Sequence, residues 1–300
     1  MYRHRTSFRA MACDNVIELY ALSEALARQA AAATVAEVQR IERKYSRYVP
    51  DSVVSTINHA KVVEGRGVWR KIDPETAQLL DFADSCYRQS DGMFDITSGV
   101  LRRVWDFNAT APPTPTMIAM VLPLIGWKKL ERTAEAVRFT VEGMEMDFGG
   151  FGKEYAADRA AAVLLSHGIA NGYVDLGGDV VVIGPQADGA AWSLGIRHPR
   201  HPNALLETLN ITSGAVATSG DYERYLEHDG VRYSHILNPF TGQSVHGMQS
   251  VTAFAPTCMV AGALTTIAML KGEGGLNWLE KSGVRALVVS SAGVVQRCLP

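Results

Sequence analysis

The chain has 300 residues, 47% of them hydrophobic and 20% charged, which is enough to bury a large core and leaves no long stretch that composition marks as disordered. A formal net charge of −2 with Lys and Arg dispersed along the sequence excludes the basic footprint of a nucleic-acid binder. No uncharged apolar run reaches the roughly 18 residues that a membrane span needs, and no apolar signal-peptide core follows Arg3, Arg5 and Arg9, so a cytoplasmic protein without membrane insertion is expected.

Residues 15–20 read as a short strand. Ser23 then opens an Ala-rich segment to about Arg47 in which Leu26, Val35, Val38 and Ile41 recur at helical spacing, predicting a long amphipathic helix. Asp73-Pro74 combines an N-cap with Pro in the first turn, and Ala77, Leu80, Phe82 and Ala83 continue a second helix toward Gly92. Residues 111–115, with three prolines, can continue neither helix nor central strand and form an exposed connection before a short helical piece ending near Gly126. Residues 134–141 and 144–147 predict a hairpin turning at Glu142-Gly143. A glycine-rich run, 147–153, leads into a helix over 154–167 that Gly168 can close. Residues 174–183 read as one buried strand containing Gly177-Gly178, followed by strands at 193–197, 205–211 and 251–255, a helix over 257–270 and a hairpin turning at 291–293. Strands and helices in this irregular order favour an α+β fold with mainly antiparallel sheets, taken as one unit over 1–300 with two lobes.

Backbone N–H groups at a helix entrance rich in glycine attract phosphate oxygens, and Lys153 adds a positive charge there. The run matches neither the dinucleotide nor the Walker fingerprint, and a tight strand-to-helix turn would use the same glycines. Polar groups also gather among turn residues at 92–97, 174–179, 217–222 and 234–242, each weak alone. His235 beside Ser234 reads as a core or loop histidine rather than an acid–base group, and no Ser-His-Asp assignment follows from the order of residues. Cys13, Cys86, Cys258 and Cys298 form no C-x-x-C pair and are expected to be reduced, mostly buried thiols.

Taken in order, these clusters resemble the FAD:protein FMN transferase, or ApbE-like, family. The parts that carry the resemblance are Ala10-Met11-Ala12, Ser46-Arg47-Tyr48 with Asp51-Ser52, and Met93-Phe94-Asp95-Ile96-Thr97 with Leu101 and Trp105. They continue through 147–158, Leu176-Gly177-Gly178-Asp179, Thr218-Ser219-Gly220-Asp221-Tyr222, His235-Ile236-Leu237-Asn238-Pro239 with Thr241-Gly242, and residues 260–266. The resemblance implies a two-lobed α+β fold with FAD in the crevice between the lobes. It also implies transfer of FMN from FAD to a Ser or Thr of a flavin-accepting protein, with Mg2+ present and AMP released.

Carried over position by position, Met11, Tyr48, Met93, Phe94, Asp95, Asp147, Lys153 and Ile236 correspond to flavin-nucleotide contacts. Gly150, Thr265 and Thr266 correspond to metal contacts, and Lys153 and Thr266 are the candidate catalytic residues. Three places depart from the pattern. Met11-Ala12-Cys13 stands where Met-Gly-Thr is usual, and Lys153-Glu154 where Lys or Glu is followed by Gly. Ala261-Gly262-Ala263 stands where Ala-Asp-Ala supplies a magnesium ligand. Mg2+ takes hard oxygen donors including one or two carboxylates, so Gly262 reads as a vacancy that Gly262→Asp would fill. A flavin-binding or carrier protein without catalysis, or a hydrolase giving FMN and AMP, would use the same pocket.

Overall fold

In the computed structural model, which describes residues 1–63 and 65–299, eight strands lie side by side in chain order as one antiparallel sheet. They are β1 (Tyr2–Ala10), β2 (Cys13–Ala21), β3 (Asn171–Leu176), β4 (Asp179–Gly184), β5 (Gly214–Gly220), β6 (Met248–Ala255), β7 (Arg285–Ser290) and β8 (Val295–Cys298). Each neighbouring pair is antiparallel. Side chains alternate between the faces with a period of two: Val181, Ala215 and Ala217 enter the main core, whereas Val180, Val182 and Val216 enter a second core on the other side. A two-stranded ribbon, Trp192–Arg197 with Leu205–Ile211, covers that second core.

Three helices cover the first face: α1 (Glu24–Tyr45), α3 (Gly152–Ser166) and α4 (Cys258–Leu270), while α2 (Pro74–Gln89) packs into the same main core. Their ends are written in the sequence. The Ser23 side chain accepts from Leu26 N–H, Asp73 from Thr76 N–H with Pro74 beginning the helix, and Thr257 from Val260 N–H. Gly168, at φ 76°, ends α3 in the left-handed region, and Ile169 N–H returns to the Leu164 carbonyl at 3.1 Å.

One contact fixes how α3 meets α4. The Asp158 carboxylate accepts from the backbone N–H groups of Cys258 at 2.7 Å and Met259 at 2.9 Å, capping α4 from the side of α3. With that register locked, a step of four residues back along α3 and four forward along α4 brings Glu154 against Gly262.

The first residues, to which the sequence reading assigns no element, form β1, whose inward side chains alternate with exposed ones, Arg3, Arg5 and Arg9 among them. Mixed helix and antiparallel sheet match the α+β expectation, but three local readings are corrected. Residues 174–183 are two strands rather than one, because Gly177 and Gly178, at φ 61° and 96°, reverse the chain between β3 and β4. Residues 144–147 are not a strand; Asn58 brackets Met146 instead, accepting from its N–H at 2.9 Å and donating to its carbonyl at 3.0 Å, while Met144 and Met146 are buried. The hairpin there is Leu130–Arg132 with Ala136–Phe139. Finally β5, at the centre of the sheet, adds a strand that the periodicity does not announce. Among the described residues no helix is long and apolar enough to cross a membrane. All four cysteines are unpaired, with Cys13 half-buried and the others buried.

Candidate functional site

The turn between β1 and β2 places Met11 and Ala12 at φ 56° and 62°, a left-handed conformation that glycine adopts more easily than alanine. Met11 N–H donates to Glu42 Oε1 at 2.7 Å, which holds the turn on α1. Cys13 follows and packs so closely on Gly177 that a Cβ at 177 would stand 2.9 Å from its sulfur and 3.8 Å from Lys153 Nζ. The Met11 turn, the β3–β4 reversal and the start of α3 therefore converge.

At that convergence α3 begins without a side-chain cap, and Gly152 N–H returns to the Phe148 carbonyl at 2.6 Å. Lys153 Nζ lies 2.5 Å from Asp179 Oδ2, and Asp179 Oδ1 accepts from Thr218 N–H at 3.1 Å. Burial works against the ammonium, but attraction by Asp179 and Glu154 outweighs it and raises the Lys153 pKa above the ordinary lysine value. Lys153 is cationic at neutral pH.

Glu154, next along the helix, has no such partner. It is only 8% exposed, and its Oε2 has no hydrogen-bond partner. Burial first and Asp179 second push its carboxyl well above the usual range. The carboxylate lies where a side chain at 262 would begin: a Cβ there would stand 2.6 Å from Glu154 Cγ and 2.8 Å from its Oε1. Gly262 is thus the space into which Glu154 reaches, not an open vacancy. One turn along, Thr265 Oγ1 donates to the Gly262 carbonyl at 3.0 Å, and Ser219 Oγ lies 2.9 Å from Thr265 Oγ1 and 3.2 Å from Thr266 Oγ1. Thr265 and Thr266, candidate metal contacts from the sequence, are brought together with Ser219, which the sequence reading names only as part of a motif.

The remaining candidates divide between two environments. Gly150 packs on the Phe94 ring, a Cβ there falling 2.9 Å from Phe94 Cζ, and Phe94 in turn stacks on Phe151. Met93 packs against the main core. Asp95 is buried and spent on the protein itself: Oδ1 accepts from Thr97 N–H and Oγ1–H, and Oδ2 from Trp127 N–H at 2.8 Å. These bonds tie residues 95–97 to Trp127.

Tyr48 is exposed and lines a cleft of about 630 Å3 together with Arg47, Arg102, Trp105 and Arg224. Arg47 ties this cleft to Asp147 at 3.4 Å and also donates to the Gly99 carbonyl at 2.9 Å, while Asp147 Oδ1 accepts from Gly149 N–H at 2.8 Å. Ile236 is buried beside His235. His235 Nδ1 lies 3.1 Å from the Arg224 carbonyl, which can only accept, so Nδ1 carries the proton and Nε2 the lone pair. Burial first, then the nearby Arg102 charge, hold His235 down at about 4. His235 is thus a neutral imidazole with its Nε2 lone pair free of a proton at neutral pH, at a position the sequence reads as a core or loop histidine. Its signal was present only as proximity to Arg102 and Lys153 in the fold.

Among the described residues no three His, Cys, Asp or Glu side chains cluster as a metal centre. The oxygens around Gly262 are hydroxyls, a carbonyl and one orphaned carboxylate, a hard donor set of the kind that Mg2+ accepts.

The ApbE family model matches residues 11–288 of this chain. An FAD:protein FMN transferase of Rhodobacter capsulatus is 30% identical over 281 residues, covering 91% of this chain and 52% of that protein, so the chain spans about half the length of this relative. The crystal structure of the ApbE protein from Thermotoga maritima superposes with a TM-score of 0.88 at 32% identity, covering 99% of this chain and 97% of that one. The apo form of the flavinyl transferase ApbE from Pseudomonas stutzeri gives a TM-score of 0.87 at 25% identity over 99% of this chain and 94% of that one.

Proposed function

The chain belongs to the ApbE family, and from that membership we propose that it binds FAD and moves the FMN part to a Ser or Thr hydroxyl of an acceptor protein, with Mg2+ present and AMP released. The observation that carries this reading is the entrance of α3, where the Lys153 ammonium and an uncapped helix N-terminus converge with the Met11 turn. Both favour a pyrophosphate.

Met11, Tyr48, Met93, Phe94, Asp147 and Ile236 line the flavin-nucleotide path in this reading, with Asp95 holding the 93–97 segment in place. Lys153 neutralises the pyrophosphate oxygens on which charge grows as the bond breaks. Attack forms a bond between the acceptor hydroxyl oxygen and the FMN phosphorus, and breaks the bond from that phosphorus to the bridging oxygen, which leaves with AMP. His235 Nε2 takes the hydroxyl proton, needing no prior deprotonation at neutral pH. Mg2+ supplies further charge neutralisation on the phosphate oxygens when bound, and Gly150, Thr265 and Thr266 are the positions that would hold it.

Incubating the protein with FAD and Mg2+, with and without a flavin-accepting protein, tests the reading by chromatography of AMP and by in-gel flavin fluorescence. AMP is expected only with the acceptor and in step with covalent flavin. AMP in both arms without covalent flavin, or none in either, would overturn transfer.

A further inference from the structure

Because α3 and α4 are locked by Asp158, the contact between Glu154 and Gly262 is a fixed feature of the helix pair. It brings a carboxylate that is more than nine-tenths buried, with one oxygen unpartnered, against a residue with no side chain. A buried carboxylate oxygen left without a donor is costly, and such an atom in a native fold calls for a missing ion or water. Lys153 does not relieve it, since its ammonium is engaged with Asp179.

We infer that Glu154 supplies, from the first turn of α3, the carboxylate that position 262 of α4 lacks, and so completes a divalent-cation site with the hydroxyls of Ser219 and Thr266. The two helices have exchanged the residue that carries the charge. Gly262 makes room, and Glu154 reaches across to place its carboxylate within the volume a side chain at 262 would fill. The longer side chain from the opposite helix serves because Cγ, Cδ and Oε1 of Glu154 all lie within 3 Å of that Cβ position. Thr266, four residues beyond 262 on the same face of α4, and Ser219, 3.2 Å from it on β5, supply neutral oxygens as further donors. Two departures from the family pattern, Glu154 and Gly262, become one compensated change. The vacancy reading of Gly262, and the gain expected from Gly262→Asp alone, are both replaced: a second carboxylate there would meet Glu154 head on.

This inference deepens the transferase reading and rests on it for the role of the cation, but its test does not need turnover. Mn2+ is titrated into the apo-protein and counted as free ion by electron paramagnetic resonance. Melting of each sample is followed without metal, and FAD affinity without metal by fluorescence. Glu154→Gln is expected to weaken Mn2+ binding at least tenfold while the metal-free melting temperature holds or rises, since a neutral amide replaces an uncompensated acid. Gly262→Asp alone is expected to melt lower and bind Mn2+ no more tightly. The double variant Glu154→Gly with Gly262→Asp is expected to return Mn2+ affinity to within about threefold of the natural protein.

Natural Mn2+ affinity in Glu154→Gln, tighter binding in Gly262→Asp, or a folded double variant that does not bind would each overturn the exchange. If the double variant does not fold, Glu154→Gln decides alone. Unchanged FAD affinity alongside any of these failures sinks the exchange and leaves the flavin reading standing. Absence of FAD binding in the natural protein sinks the flavin reading and leaves the Mn2+ comparison intact.

Discussion

Glu154 and Tyr155 are neighbours on α3, about 100° apart around the helix, and they enter two charged clusters of opposite character. Around Tyr155, three cations meet three carboxylates: Arg40, Lys44 and Arg159 against Glu37, Asp73 and Glu75. Glu75 alone receives Arg40 at 2.7 and 3.0 Å, Lys44 at 2.5 Å and the Tyr155 hydroxyl at 2.6 Å. Burial would raise its carboxyl, but these bonds outweigh burial and hold it at about 2. Around Glu154 there is one cation for two buried acidic side chains, Lys153 against Asp179 and Glu154, and an oxygen is left over. The first cluster is complete and clamps α1, α2 and α3 together. The second is complete only with something added, which is how a binding site differs from a brace.

Removing the single cation from the incomplete cluster should have the largest effect. Lys153→Ala is expected to lower AMP release by about 10²–10³-fold, the loss typical of one charge-stabilising group, and to weaken FAD while sparing riboflavin, which has no phosphate. Equal weakening of both flavins would make Lys153 a brace like those around Glu75 and erase the distinction.

Glu75→Gln should do the reverse. It is expected to destabilise the fold by about 2 kcal/mol, the lower end for breaking a partly buried pair, with AMP release per folded molecule unchanged. The pH dependence sharpens this. The folded Glu75 carboxyl lies at about 2 against an ordinary 4.5, so its stabilisation is full above 4.5 and is lost as pH falls toward 2. Urea midpoints over that window should drop steeply in the natural protein and more gently in Glu75→Gln; parallel curves would remove Glu75 as the cause.

Much of this contrast was legible in the sequence, but unevenly. Ser23, Asp73-Pro74, Thr257 and Gly168 announce helix ends because capping is local chemistry. Lys153 stood out because glycines preceded it. Glu154 registered only as a departure from the family pattern, because a Glu in the first helical turn ordinarily faces water, and only the register set by Asp158 turns it toward Gly262. The β3–β4 reversal was hidden because an apolar run continues through Gly177-Gly178, and β1 because its charged and half-buried residues carry no apolar alternation. Ser219 and His235 acquire meaning from partners 47 residues away on α4 and 11 residues away at Arg224, distances that a local pattern does not carry.

The smallest expected effect lies beside Lys153. Ala12→Gly removes a side chain held at φ 62° and should raise stability by about 0.5 kcal/mol, read as a shift in urea midpoint. A loss instead would show that the Ala12 methyl packs usefully and that the Met11 turn is braced rather than strained.

The most direct test of the account compares covalent flavin on an acceptor protein, by mass spectrometry, for the natural chain, Lys153→Ala and Glu75→Gln at matched folded fractions with FAD and Mg2+. Transfer is predicted to survive Glu75→Gln and to fall by about a hundredfold or more in Lys153→Ala. Equal transfer by Lys153→Ala and the natural chain, or equal loss in both variants, would contradict the claim that the incomplete cluster at the start of α3 is where the chemistry takes place.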